Sequence, residues 1–349
     1  MERLYWNNDW KFAETWEEAM KEAVYPENEM EDVRLPHTCK ELPYHYFDEH
    51  AYQMLCGYRR HFMAPEAWQG KSVELTFEGV AHDAVVYVNG TEVKAHHCGY
   101  TAFFVEIAKY LKYGEDNVLA VRVDSRENLN IPPFGYAIDY MTFGGMYREV
   151  YVQVRNKTHL ADVFVKPQIH PLQVTTEITV QNISDGITLQ QEIRKKGEGA
   201  YSPLGKKPVK QTNVQTVFPV QEICLWEPEN PYLYEIRTSL WKNGEMIDAR
   251  VDITGFREAG FRKDGFYLNG KKLRLRGLNR HQSYPYVGYA APASMQIFDD
   301  DILKKELGVN AVRPSHYPQS QDFISRCDEI GLLVFTEFPG WQHTGDEEW

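Results

Sequence analysis

The last quarter of the sequence contains three short apolar runs, and each run ends in charged or imidazole side chains. The runs lie in segments 276–281, 310–318 and 332–337, and two segments with helical spacing of apolar residues, 298–307 and 320–330, separate them. Strands that alternate with helices in this way indicate a parallel sheet. Because the carboxyl ends of the strands carry the active site in a parallel barrel, we predict the first three βα units of a (β/α)8 TIM barrel, with a catalytic rim at the polar strand ends.

A closed barrel of this kind needs eight strand–helix units and roughly 250 residues. Residues 256–349 provide room for only three of these units. The sequence is therefore interpreted as the front part of a larger enzyme.

Composition excludes several classes of protein. No window approaches the roughly 18 apolar residues of a membrane span, and the first residues lack the apolar stretch of a signal peptide. The five cysteines are scattered without CxxC spacing, which argues against a disulfide framework and a zinc site. A net charge of −12 without a basic tract argues against binding to nucleic acid or anionic membranes. We expect a cytoplasmic protein with neither kind of partner.

Short strands separated by glycine, proline and asparagine dominate the rest of the chain. In residues 1–157, alternating apolar positions and an Asn89-Gly90 hairpin turn predict a jelly-roll β-sandwich. Residues 158–255 have the short antiparallel strands of an immunoglobulin-like β-sandwich, and residues 256–349 form the barrel part. The predicted elements of the first two domains are a helix at 15–23, a polar loop at 197–210, a surface position for His82, and strands at 72–80, 84–88, 117–124, 149–155, 161–165, 175–181, 189–194, 213–219, 232–241 and 246–253.

Longer motifs occur along the whole chain. They are VRLPHT at 33–38, the segment 79–90, Asp139 followed by GGMYREV at 144–150, GLNRH at 277–281, NAVRPSHYP at 310–318 and CDEIGL at 327–332. With the three domains in this order, they resemble glycoside hydrolase family 2, the family of β-galactosidases, β-glucuronidases and β-mannosidases. The Asn279-Arg280-His281 sequence is more similar to β-galactosidases than to β-glucuronidases.

The resemblance implies roles for residues at the strand ends. His281 and His316 would hydrogen-bond sugar hydroxyls as the transition state forms, and Arg313 would orient the catalytic carboxylates through its planar fork. Asn279 is expected behind them as an anchor. Glu337, which ends the third strand, is expected to support the floor of the site and not to act as the catalyst. The alternatives are a surface position for each histidine and a structural ion pair for Arg313.

The resemblance also implies a cation near the site. The residue that matches Asp139 reaches the sugar and a monovalent cation in family members. Trp341 stands where well-known β-galactosidases carry a magnesium-binding glutamate, and His343 matches a second ligand. One histidine does not make the oxygen-rich site that magnesium prefers, which argues against a magnesium requirement. Trp341 is instead expected to lie against the sugar, and no further cofactor is expected.

Family members place the acid/base glutamate after the fourth barrel strand and the nucleophile after the seventh, so both are expected beyond residue 349. The resemblance therefore implies the N-terminal part of a retaining β-glycosidase, inactive by itself, whose substrates are terminal non-reducing β-D-galactosides. The full-length enzyme is expected to be a homo-oligomer. One alternative is a β-glucuronidase or another family 2 β-glycosidase. An alternative of another class is a non-catalytic carbohydrate-binding protein.

Overall fold

The structure is a computed structural model, and it describes residues 3–43, 45, 48–134, 138 and 140–347. Two antiparallel β-sandwiches are followed by a parallel sheet with two helices. The predicted fold class, a jelly roll, an immunoglobulin-like sandwich and the first part of a TIM barrel, is confirmed. None of the helices within the described residues is long and apolar enough to cross a membrane.

The first domain is a sandwich of a six-stranded sheet, in the order β3-β2-β4-β9-β6-β7, and a four-stranded sheet, in the order β1-β10-β5-β8. Its strands are β1 (Leu4–Tyr5), β2 (Trp10–Ala13), β3 (Glu31–Val33), β4 (Leu55–Met63), β5 (Ser72–Phe77), β6 (Asp83–Val88), β7 (Thr91–His96), β8 (Phe103–Glu106), β9 (Asp116–Asp124) and β10 (Val150–Arg155). Asn89 and Gly90 both have positive φ, 51° and 82°, as the predicted hairpin turn between β6 and β7 requires.

The helix predicted at 15–23 is wrong in type and length. A single 3-10 turn, Glu18–Lys21, is present there. Further 3-10 turns are Glu49–Tyr52, Glu66–Trp68 and Ala108–Tyr110. Trp16 and Met20 are buried against Tyr87 and its neighbours on the six-stranded sheet, so the apolar spacing is real, but one turn is enough to bury both side chains.

The second domain packs the sheet β11-β12-β15 against the sheet β14-β13-β18-β19. Its strands are β11 (His159–Ile169), β12 (Leu172–Gln181), β13 (Thr188–Lys195), β14 (Ser202–Pro208), β15 (Asn213–Pro219), β16 (Trp226–Glu227), β17 (Asn230–Pro231), β18 (Tyr234–Lys242) and β19 (Glu245–Thr254). The predicted polar loop at 197–210 is wrong, because it contains β14. This strand lies at a sheet edge with most of its side chains in solvent, so it needs no apolar alternation.

The third part begins with an antiparallel sheet and continues into the parallel sheet β23-β24-β25. Its elements are β20 (Ala259–Arg262), β21 (Gly265–Leu268), β22 (Lys271–Leu273), β23 (Gly277–Arg280), α1 (Ala293–Asp301), a π-helical turn (Ile302–Glu306), β24 (Ala311–Pro314), α2 (Gln321–Ile330) and β25 (Leu333–Val334). Ser320 caps α2 by accepting the Phe323 N–H at 3.2 Å, and Gly331 ends it with φ 77°. The first helix begins five residues earlier than predicted.

The three parts are packed together through buried side chains. Tyr289 and Tyr317 belong to the same apolar core as the first domain. The Tyr317 ring stacks on Tyr100, with centroids 4.3 Å apart and an interplanar angle of 3°. On the opposite side, Trp226 of the second domain donates its indole N–H to the Asp328 carbonyl at 2.8 Å. The first domain therefore packs directly against the loops that follow β23 and β24.

Candidate functional site

The carboxyl ends of β23 and β24 bring the two predicted histidines together. His281 directly follows β23, and His316 lies two residues after β24. The strands pair in parallel, with Asn279 opposite Arg313, so both side chains emerge at the same edge of the sheet. The ring centroids of His281 and His316 are 5.5 Å apart. The two histidines predicted for the rim therefore lie next to each other at one edge of the parallel sheet.

His316 is held by a carboxylate and a guanidinium. Its Nδ1 lies 3.0 Å from Glu337 Oε2 and 3.2 Å from Arg313 Nη2. Arg313 Nε is itself paired with Glu337 Oε1. An arginine only donates and an ionised carboxylate only accepts, so these two contacts need opposite tautomers of the ring. Donation from Nδ1 to Glu337, the shorter contact, leaves Arg313 to act through its ion pair with that carboxylate. In the neutral ring, Nε2 is then left as an acceptor.

His281 is held by a buried phenol. Its Nδ1 lies 3.2 Å from the hydroxyl of Tyr317, which is fully buried and also accepts the backbone N–H of Gln282 at 3.4 Å. Burial raises the pKa of Tyr317, so the phenol keeps its proton. The two histidines thus lie side by side, and the Nδ1 of each is in contact with a neighbouring side chain.

Aromatic rings surround the two histidines. The Tyr140 centroid lies 5.4 Å from that of His281, 5.7 Å from that of His316 and 6.1 Å from that of Trp341. Trp341 stacks on His316 at 5.1 Å and 29°. Apolar and aromatic walls with a few convergent polar groups are typical of small-ligand sites. The arrangement is able to bind a molecule that has both C–H faces and hydroxyl groups.

The other candidate residues have different surroundings. Asn279 is exposed beside Arg313, and Glu337 joins Arg313 to His316. The backbone N–H of His343 donates to the Gly340 carbonyl at 2.8 Å, in the loop that contains Trp341. Asp139 lies outside the described residues.

No group of three or more His, Cys, Asp and Glu side chains is arranged to hold a metal ion in the part of the chain that the structure describes. Trp341, at the position where a magnesium ligand was considered, has an indole ring stacked on His316 and supplies no oxygen. The residues present do not fit a magnesium site.

Two residues of the site were not predicted from the sequence, and one prediction outside it is wrong. Tyr140 and Tyr317 were missed, although Tyr140 follows Asp139 and Tyr317 lies inside the 310–318 motif. His82 is 1% exposed and packs edge-on against Phe134 at 5.1 Å, so it is not on the surface. Burial lowers the pKa of His82 to about 4.

Three family models match consecutive parts of the chain. The sugar binding domain of glycosyl hydrolases family 2 matches residues 14–155, the domain described as glycosyl hydrolases family 2 matches 158–257, and the TIM barrel domain of the same family matches 260–348.

Relatives and solved structures point to the same family. A β-galactosidase of Thermoanaerobacter pseudethanolicus is 45% identical, over 99% of this chain and 48% of that protein. A β-galactosidase of Thermoanaerobacterium thermosulfurigenes is 42% identical, over 98% of this chain and 49% of that protein. The structure of Bacteroides uniformis β-glucuronidase 2 has a TM-score of 0.88 at 28% identity, over 97% of this chain and 42% of that one. The chain spans about half the length of these relatives. With all three domains matched in order, the chain belongs to glycosyl hydrolases family 2.

Proposed function

We propose that residues 1–349 form the sugar-binding rim of a retaining β-glycosidase that hydrolyses terminal non-reducing β-D-galactosides. The observation that carries this proposal is the histidine pair at adjacent strand ends, 5.5 Å apart and held by Glu337 and Tyr317. Each ring has its Nδ1 in contact with a neighbouring side chain, which fixes the direction in which its Nε2 points. The aromatic rings of Tyr140 and Trp341 provide faces for the sugar.

The pair acts on the transition state in this proposal. Glycoside hydrolysis passes through an oxocarbenium-like state in which hydrogen bonds to sugar hydroxyls strengthen. Rings that are already held in orientation do not have to reorganise as this charge develops. His281 and His316 therefore contribute more to kcat than to substrate affinity.

Glu337 is assigned to support and not to proton transfer. Retaining hydrolysis uses two carboxyl groups about 5–5.5 Å apart, one as nucleophile and one as acid and base. Glu337 already accepts from both Arg313 and His316, which keeps its carboxylate directed at them. We expect the catalytic carboxylate pair to come from the part of the enzyme outside residues 1–349.

Galactose is favoured over glucuronic acid by the names of the two bacterial relatives, which are both β-galactosidases. The second candidate, a β-glucuronidase, is supported by the fold shared with B. uniformis β-glucuronidase 2.

A chimaera tests the proposal. Residues 1–349 replace the matching segment of the T. pseudethanolicus β-galactosidase, and hydrolysis of nitrophenyl β-D-galactoside and nitrophenyl β-D-glucuronide is measured. We expect turnover of the galactoside that depends on His316. Preference for the glucuronide would favour the second candidate. A folded chimaera that hydrolyses neither substrate, while residues 1–349 bind galactosides, would point to a non-catalytic carbohydrate-binding protein.

A further inference from the structure

Arg148 comes from the first domain but reaches the loops that carry both histidines. Its Nη2 donates to the Pro318 carbonyl at 2.8 Å and to Gln282 Oε1 at 3.2 Å. Its Nη1 lies 3.4 Å from the carbonyls of Glu78 and Tyr100 in the first domain. The guanidinium thus joins the two loops to the sandwich behind them.

The two barrel partners of Arg148 are close to the functional side chains. Gln282 is fully buried and directly follows His281, and Pro318 is two residues after His316. Tyr317, between Pro318 and His316 in the sequence, contacts His281 Nδ1. Movement of Arg148 would therefore displace both imidazoles and the phenol that orients one of them.

The surroundings of Arg148 are those of a positioning group and not of an ion pair. All four oxygens that contact its Nη atoms in the described part of the chain are neutral. Arg148 is only 8% exposed, and its guanidinium lies 5.0 Å from the centroid of the Tyr147 ring. Burial of a cation is costly, and it is tolerated here because the planar fork satisfies four backbone and side-chain acceptors at once.

The neighbouring glycine provides the space for this arrangement. A Cβ at Gly79 would lie 2.9 Å from Arg148 Cδ and 2.9 Å from Tyr147 Cζ. Gly79 and Arg148 belong to two of the motifs found in the sequence, and neither has a place among the rim residues. Their contact explains physically why a glycine and an arginine stand at these two positions of the motifs.

We propose that Arg148 is a positioning residue that sets the separation and orientation of His281 and His316 from the first domain. This inference rests on the proposed function for its catalytic consequence, but not for its structural one. Because misplacement of a reacting group by about 1 Å can cost on the order of 10²-fold in rate, loss of the Arg148 contacts should lower turnover without removing any group that touches the sugar.

The test compares Arg148→Met with Arg155→Met in the chain 1–349. Arg155 is a matched control because it is also 8% exposed and belongs to the same domain, but it contacts Glu74, Gln153 and Leu160 and not the barrel. Imidazole NMR signals are recorded from histidine-labelled protein, with the surface residue His61 as an internal reference.

Arg148→Met should shift the His281 and His316 signals and leave the His61 signal in place. Arg155→Met should leave all three signals in place. Arg148→Lys, which keeps the charge but not the fork, should also shift them. Unchanged His281 and His316 signals in a folded Arg148→Met protein, or equal shifts in both methionine variants, would overturn the proposal. If Arg148→Met does not fold, Gln282→Leu removes the acceptor on the barrel side, and unchanged signals in that variant would equally overturn it.

Kinetics in the chimaera separate this inference from the proposed function. Arg148→Met should lower kcat/KM by on the order of 10-fold or more, with most of the loss in kcat, and Arg155→Met should change it by less than about twofold. A chimaera that is inactive with the native residue at 148 counts against the proposed function, and the NMR comparison still decides the positioning role. An active chimaera in which the two methionine variants lose equal activity would overturn the positioning role alone.

Discussion

Asp300 should make the stability of the barrel segment depend on pH. Its side chain, near the end of α1, is fully buried, and Oδ1 accepts the Cys327 thiol at 3.1 Å across the α1–α2 contact. Oδ2 has no hydrogen-bond partner within the described residues. Desolvation of the carboxyl group is the main cause that raises the pKa of Asp300 to about 7.

The sign and size of this pH dependence follow from the protonation of Asp300 in the unfolded and folded states. An unfolded aspartate loses its proton near pH 3.8, whereas folded Asp300 keeps it until about pH 7. Between these values the folded state binds more protons, so the free energy of unfolding falls as pH rises and then levels off. At 1.36 kcal/mol per pKa unit, the full loss is about 4 kcal/mol.

Asp300→Asn keeps the shape and the Oδ1 acceptor but cannot ionise. Relative to the native protein, the variant should gain stability between pH 5 and pH 8 by about 2 to 3 kcal/mol. Hydrogen–deuterium exchange of peptides from 293–330, compared at matched pH, measures this locally, and peptides from β13 serve as the internal reference. Asp162→Asn, at an exposed position in the second domain, is the control. A variant equally destabilised at both pH values would refute the reasoning, because Asp300 would then be a paired carboxylate.

Three other changes test the rim, a domain contact and the isolated chain. His316→Ala in the chimaera should lower kcat and kcat/KM together on the order of 10²-fold, about 2.7 kcal/mol, while exposed His61→Ala changes neither; a rise in KM alone would make His316 a ground-state binder. Gly331→Ala should lower the free energy of unfolding in urea more than Gly308→Ala does. Both glycines have positive φ, but only a Cβ at Gly331 would lie 2.7 Å from the Pro228 carbonyl carbon. Equal losses of stability would show that this contact relaxes. Purified 1–349 should not hydrolyse nitrophenyl β-D-galactoside above the buffer rate, and turnover that Glu337→Gln abolishes would contradict the supporting role of Glu337.

The strands were predictable where one face is buried. The segment 213–219 was predicted with the bounds that the structure has, and its alternation buries Val214 and Thr216 on one face. Strong alternation is informative because a one-residue slip would turn the apolar set to solvent. The edge strand β14 has no buried face, so its sequence shows no apolar alternation and could not be distinguished from that of a loop.

The strand-end argument placed His281 and His316 correctly with respect to each other, because parallel strands bring their carboxyl ends to one edge. It could not predict what surrounds them. Tyr140 lies 141 residues before His281 in the sequence, and Arg148 bonds to Gln282 at a separation of 134 residues. Contacts at such separations leave no periodicity in the chain, so only the packing of the domains reveals them.

This packing also bears on what the first domain does. A carbohydrate-binding module that works alone needs its aromatic face on its own surface. Here Tyr140 of the first domain turns towards the barrel, where its ring contacts His281, His316 and Trp341. The apolar core of the first domain continues into the barrel through Tyr317. The first domain thus places an aromatic ring and a buried arginine against the loops at the ends of the barrel strands. This arrangement completes a site on the barrel and leaves these groups unavailable for a separate binding face. It favours the enzyme over the non-catalytic alternative.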